Sequence, residues 1–186
     1  MLFRLRPRLR HADAVSDERP LRLLVLMRHA EAKNSSPDGD LGRELTKAGR
    51  RAAVRVGHWL VEQGVRPDVV VVSPSARTRQ TWEQLRDAGL PAQEVWSDDS
   101  VYEGYAADLA DSVRDVPDDV RTLLLIGHAP GIPGLAADLE DHAELDPRQR
   151  ESMARWPTAA VAVVSHRSDW ASFPDDTTAL AAFHAP

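Results

Sequence analysis

Two histidines each follow an aliphatic run in this chain. Leu23-Leu24-Val25-Leu26-Met27 leads into Arg28-His29-Ala30-Glu31, and Leu123-Leu124-Leu125-Ile126 leads into Gly127-His128-Ala129-Pro130-Gly131. A third run, Val69-Val70-Val71-Val72, opens into Ser73-Pro74-Ser75-Ala76-Arg77-Thr78-Arg79-Gln80-Thr81. A guanidinium can grip two phosphate oxygens at once, and a helix start adds unpaired N–H groups and a positive dipole end. One imidazole nucleophile, two arginines and a second imidazole together suit phosphoryl transfer. The moving group carries its charge on equatorial oxygens, and fixed cations supplied by the protein can stabilise it without a metal.

These residues can meet only if the elements beneath them form one sheet. Strand-like runs are read at Leu21–Met27, Asp68–Val72, Glu94–Trp96, Val120–Ile126 and Ala159–Ser165, each short and bounded by turn residues. Between them, Ala48, Ala52, Val56, Trp59 and Leu60 recur at helical spacing, with Gly64 as the stop. Weaker helical patterns cover Ala76–Ala88, Ala106–Val113 and Ile132–Leu139, and surface loops are expected at Ala32–Asp40, Asp98–Glu103 and Asp141–Arg155. Strands alternating with helices predict a three-layer α/β/α sandwich with a mainly parallel central sheet. Such sheets bind ligands outside the carboxyl ends of their strands, where His29, Arg77 and His128 would be delivered.

Composition narrows the function classes. At 186 residues the chain suits a single domain, read from Leu21 to Pro186 after a flexible tail over residues 1–20. A formal charge of −6 argues against a nucleic-acid or membrane-surface partner, which would need a surplus of cations. Cysteine is absent, which removes disulfides, thiolate metal sites and thiol nucleophiles and fits a cytoplasmic protein. Arg4, Arg6, Arg8 and Arg10 ahead of an apolar run mimic a secretory signal, but Asp13, Asp17 and Glu18 intervene and Arg28-His29 interrupt the approach to any cleavage site. No window approaches the ~20 apolar residues of a membrane span.

The chain resembles the histidine phosphatase superfamily, also called phosphoglycerate mutase-like. The resemblance rests on Leu26-Met27-Arg28-His29-Ala30-Glu31, Asp40-x-x-Arg43-x-Leu45-Thr46-x-x-Gly49, Ser73-Pro74-x-x-Arg77-x-x-Gln80-Thr81 and Gly127-His128-x-Pro130-Gly131, in the family's order. Within it the short length, the Arg-His-Ala start and the Ala159–Val164 strand are most similar to the SixA-type phosphohistidine phosphatases. The resemblance implies that His29 attacks phosphorus and becomes phosphohistidine, which water hydrolyses, while Arg28, Arg77 and His128 hold the phosphoryl oxygens. Neighbouring guanidinium charges agree with that role, because they disfavour a protonated imidazole. Arg43 is placed at the phosphate or the pocket rim. Glu103 is the candidate acid that protonates a leaving group and activates water, with the alternative that it is one solvated carboxylate in an acidic loop.

The implied substrate is a phosphorylated protein; the alternative, which a working Glu103 would favour, is a phosphatase or mutase acting on a small phosphorylated metabolite. A non-catalytic phosphate-binding module ranks last, since Arg28, His29, Arg77 and His128 are all present. The chain has no His-Glu-x-x-His pattern, and Arg28 beside His29 would repel a cation, so neither metal nor other cofactor is expected. A monomer is the default. His11, His58, His142, His166 and His184 read as ordinary surface or core residues, and Trp59, Trp82, Trp96, Trp156 and Trp170 as packing.

Overall fold

The computed structural model describes residues 20–139 and 146–186. The tail expected over residues 1–20 lies outside these apart from Pro20, as do His11 and His142. Six strands form one sheet: β1 (Arg22–Arg28), β2 (Val69–Val72), β3 (Glu94–Ser97), β4 (Thr122–Gly127), β5 (Val161–His166) and β6 (Ala179–His184). Their order is β3-β2-β4-β1-β5-β6, with β3, β2, β4 and β1 mutually parallel and β5 antiparallel to both β1 and β6. Helices α1 (Lys47–Glu62), α2 (Ala76–Asp87), α3 (Ser100–Glu103), α4 (Ala106–Arg114), α5 (Gly131–Ala137) and α6 (Pro147–Arg155) complete it. This is the mainly parallel three-layer sandwich that alternating patterns predict.

Strand period sorts the core into two layers. Leu24, Leu26, Leu123 and Leu125 join Leu109, Val113, Ile132 and Leu135 on one face, while Val25, Met27, Leu124 and Ile126 join Val56, Leu60, Trp82 and Leu85 on the other. Successive side chains on a strand point to opposite faces, so a strand buried on both sides reads as an unbroken aliphatic run. The central strands β1, β2 and β4 therefore announce themselves in the sequence.

Two loop expectations need correction, and one strand was not foreseen. The charged segment Asp141–Arg155 is not wholly loop, because α6 starts at Pro147, and Asp98–Glu103 ends in the short helix α3. In α6 the Asp146 carboxylate accepts from the amides of Arg148 and Gln149, and the Gln149 side chain accepts from the Asp146 amide. That capping box, with proline at the first helical position, marks a helix start rather than a loop. Strand β6 escaped sequence reading because its Ala-rich run is a poor strand former, and a register shift opposite Val163/Val164 disturbs the alternation.

Candidate active site

Sheet register builds the site. Arg28 pairs with Gly127 across parallel strands β1 and β4, so the residues that follow, His29 and His128, emerge side by side. Their ring centroids are 4.9 Å apart. Val72 of β2 pairs with Ile126, which brings Ser73 and the start of α2 to the same sheet edge. Ser75 caps α2 by accepting from the Thr78 amide, and Arg77 sits in the first turn. An open cleft of about 460 Å³ is lined by Arg28, His29, Glu31, Asp40, Arg43, Arg77, Tyr102, Glu103, His128, Pro130 and Thr158. The structure thus brings all six site residues named from sequence, Arg28, His29, Arg43, Arg77, Glu103 and His128, around one space.

His29 is only 9% exposed, and its Nδ1 lies 2.8 Å from the Ala30 carbonyl. A carbonyl can only accept, so Nδ1 carries the proton and a neutral ring keeps its lone pair on Nε2. Burial is the first cause that lowers the His29 pKa, to about 4, followed by the charges of Arg77, Arg28 and Arg43; the Ala30 hydrogen bond acts the other way. Desolvation therefore outranks the neighbouring guanidinium charges invoked from sequence. His128, 8% exposed, is lowered to about 3, again by burial first and then by His29 and Arg77. Both rings are neutral at physiological pH.

The cations are held by groups that leave part of each fork uncommitted. Arg28 donates from one terminal nitrogen to the Trp156 carbonyl at 2.8 Å, and Arg77 donates to the Asp40 carbonyl and to Asp40 Oδ2 at 2.8 and 2.9 Å. In both, the buried Nε has no hydrogen-bond partner among the described residues. Asp40 also accepts from Arg43 at 2.8 Å and from the Tyr102 hydroxyl. The Tyr102 hydrogen bond, then those from Arg43 and Arg77, holds the Asp40 carboxyl well below the ordinary carboxylate range. Glu103 lies exposed at the rim at the end of α3. Among the described residues no group of three His, Asp or Glu side chains is arranged to hold a metal.

The remaining motif residues shape the backbone around His29. The Ala30 amide donates to Thr81 Oγ1 at 3.0 Å, and the Leu45 amide donates to Gln80 Oε1 at 2.8 Å. The Thr46 amide donates to the Glu31 carbonyl at 3.0 Å, and a Cβ on Gly49 would stand 2.1 Å from that same oxygen. Only glycine lets α1 approach the loop that carries His29 so closely. Asp40, Tyr102, Ser73 and Trp156 belong to the site although sequence reading gave them no role. Asp40 and Ser73 sat inside quoted motifs, whereas the Tyr102 and Trp156 contacts depend on tertiary placement.

Comparison with known proteins agrees with this architecture. Residues 24–168 match the family model described as histidine phosphatase superfamily, branch 1. An uncharacterized protein of Mycobacterium tuberculosis is 32% identical over 163 residues, covering 86% of this chain and 99% of its own. A solved structure from Nakamurella multipartitia, named as a candidate phosphohistidine phosphatase SixA, matches with a TM-score of 0.74 and 34% identity, covering 89% of this chain and 96% of its own. A mycobacterial glucosyl-3-phosphoglycerate phosphatase shares the fold at a TM-score of 0.55 and 20% identity, covering 89% of this chain and all of its own, 100%.

Proposed function

The chain belongs to the histidine phosphatase superfamily, and we propose that it hydrolyses phosphohistidine on a protein through a covalent phosphohistidine at His29. The observation that carries this reading is the His29 ring: Nδ1 is tied to the Ala30 carbonyl, so the Nε2 lone pair remains for attack. A new Nε2–P bond forms as the bond from phosphorus to the substrate nitrogen breaks, and that nitrogen takes the electron pair. Water then attacks phosphorus, phosphate departs, and His29 regains its lone pair.

Arg28, Arg77 and His128 hold the phosphoryl oxygens in both steps, with Arg43 at the rim. Fixed guanidinium groups in a partly desolvated cleft meet the developing charge, which is the contribution a metal makes elsewhere. The 34% identical neighbour named as a candidate SixA phosphohistidine phosphatase supports the substrate class, and an open cleft suits a phosphoprotein. An imidazole leaves more readily than an alkoxide, so this substrate needs no strong acid. Glu103 at the rim favours a second reading, a small phosphate ester whose leaving oxygen it would protonate.

The test is phosphate release from a histidine-phosphorylated carrier protein in EDTA, set beside a panel of small phosphate esters. We expect release from the carrier that is lost in His29→Ala and retained in Glu103→Gln. Release from esters alone, with loss in Glu103→Gln, would overturn the phosphohistidine reading in favour of the second.

A further inference from the structure

The completely buried hydroxyl of Ser73 lies 2.7 Å from Nε2 of His128. We propose that Ser73 is a positioning residue: it donates its hydroxyl proton to Nε2 and so fixes His128 as the tautomer with Nδ1–H on the pocket side. The inference rests on the phosphatase reading for its consequence and on the hydroxyl cluster for its evidence.

A neutral imidazole has one donor and one acceptor nitrogen. Phosphoryl oxygens only accept, so a neutral His128 can hold one only through a protonated nitrogen that faces the cleft. Nε2 is turned to Ser73, and Nδ1 has no hydrogen bond to another described residue. With the proton on Nδ1, Nε2 is the acceptor, and Ser73 Oγ is the donor group that lies opposite it.

The surrounding cluster has places for its other protons. Thr78 Oγ1 lies 2.8 and 2.9 Å from the Ser73 and Ser75 carbonyls, which can only accept, so the Thr78 proton goes there. Ser75 Oγ lies 2.9 Å from Thr78 Oγ1 and can donate to it, while taking the Thr78 amide as the cap of α2. Ser73 Oγ also lies 3.1 Å from Ser75 Oγ and 2.9 Å from Thr78 Oγ1, but its contact with His128 Nε2 at 2.7 Å is the shortest of the three, and with Ser75 donating to Thr78 its proton is free to go there. The hydroxyls that start α2, and so place Arg77, also orient His128, and two of the phosphate-holding groups share one support.

The direct test is long-range ¹H–¹⁵N NMR on histidine-labelled free enzyme. We expect the lone pair of His128 on Nε2 and the proton on Nδ1. In Ser73→Ala the ring shifts towards the Nε2–H tautomer and kcat falls about 10- to 100-fold with little change in KM, the scale of losing an outer partner of an active histidine. Ser73→Thr, which keeps a hydroxyl, restores the wild-type tautomer. A proton on Nε2 in the wild type, or an unchanged tautomer in Ser73→Ala, would overturn the proposal. The ring is read without substrate, so the result stands apart from which phosphate compound, if any, the enzyme hydrolyses.

Discussion

The proposed mechanism gives each side chain of the cleft a separable task, and the loss of each a distinct signature. Arg77→Lys keeps a charge but loses the planar fork that Asp40 orients, and a transition-state donor of the kind proposed for Arg77 is worth about 10²–10³ in kcat. We expect a fall of that size in kcat with a smaller change in KM, measured by steady-state phosphate release. The pH dependence follows from the same residues. Burial holds the His29 pKa at about 4, so the proposed nucleophile stays unprotonated well below the 6.5 of an ordinary imidazole. The acid limb of kcat/KM assigned to His29 therefore falls near pH 4, and a limb at pH 6.5 that moves with His29 substitution would contradict that environment. Arg28, His29, Arg77 and His128 were legible in the sequence because each ends or follows a buried strand or lies in the first turn of a helix. Trp156 was not, since it serves through its carbonyl, an atom every residue has.

At the scale of elements, two glycines decide how tightly helices close on the cleft. A methyl on Gly49 would lie 2.1 Å from the Glu31 carbonyl, and one on Gly131 would lie 2.3 Å from the Gly104 carbonyl. Backbone cannot yield as a flexible side chain does, so Gly49→Ala should cost about 1–3 kcal/mol of stability. By moving the loop after His29 it should also lower kcat at least about tenfold, an effect of misplaced reacting groups. Gly64 is the control: its φ is +77° and nothing lies within 4 Å of its Cβ position. Gly64→Ala should cost about 1 kcal/mol for the left-handed backbone and leave kcat unchanged. Urea unfolding together with turnover separates the two outcomes. The elements read most easily from sequence are those with unbroken aliphatic runs, β1, β2 and β4. Helix α6 is hidden in a charged, proline-containing stretch that resembles a loop, although proline at a capped first turn starts a helix.

For the whole molecule, the parallel register of three central strands carries the account from sequence to chemistry, because it converts distant motifs into neighbours. The same burial that keeps His29 and His128 neutral sets how stability varies with pH. Unfolded histidines take up protons below about 6.5, whereas in the folded chain these two do so only near pH 4 and pH 3. The unfolded state thus binds more protons between those values, and stability must fall as pH drops from 6.5 towards 4. Thermal unfolding of the double variant His29→Gln/His128→Gln should show a shallower decline over that range than the wild type. The central claim is the covalent intermediate, and rapid quenching with a histidine-phosphorylated carrier protein in EDTA, followed by peptide mass spectrometry, tests it most directly. The account predicts an acid-labile phosphoryl group on His29, absent from His29→Ala. Turnover without label on His29, or undiminished turnover in His29→Ala, would contradict it.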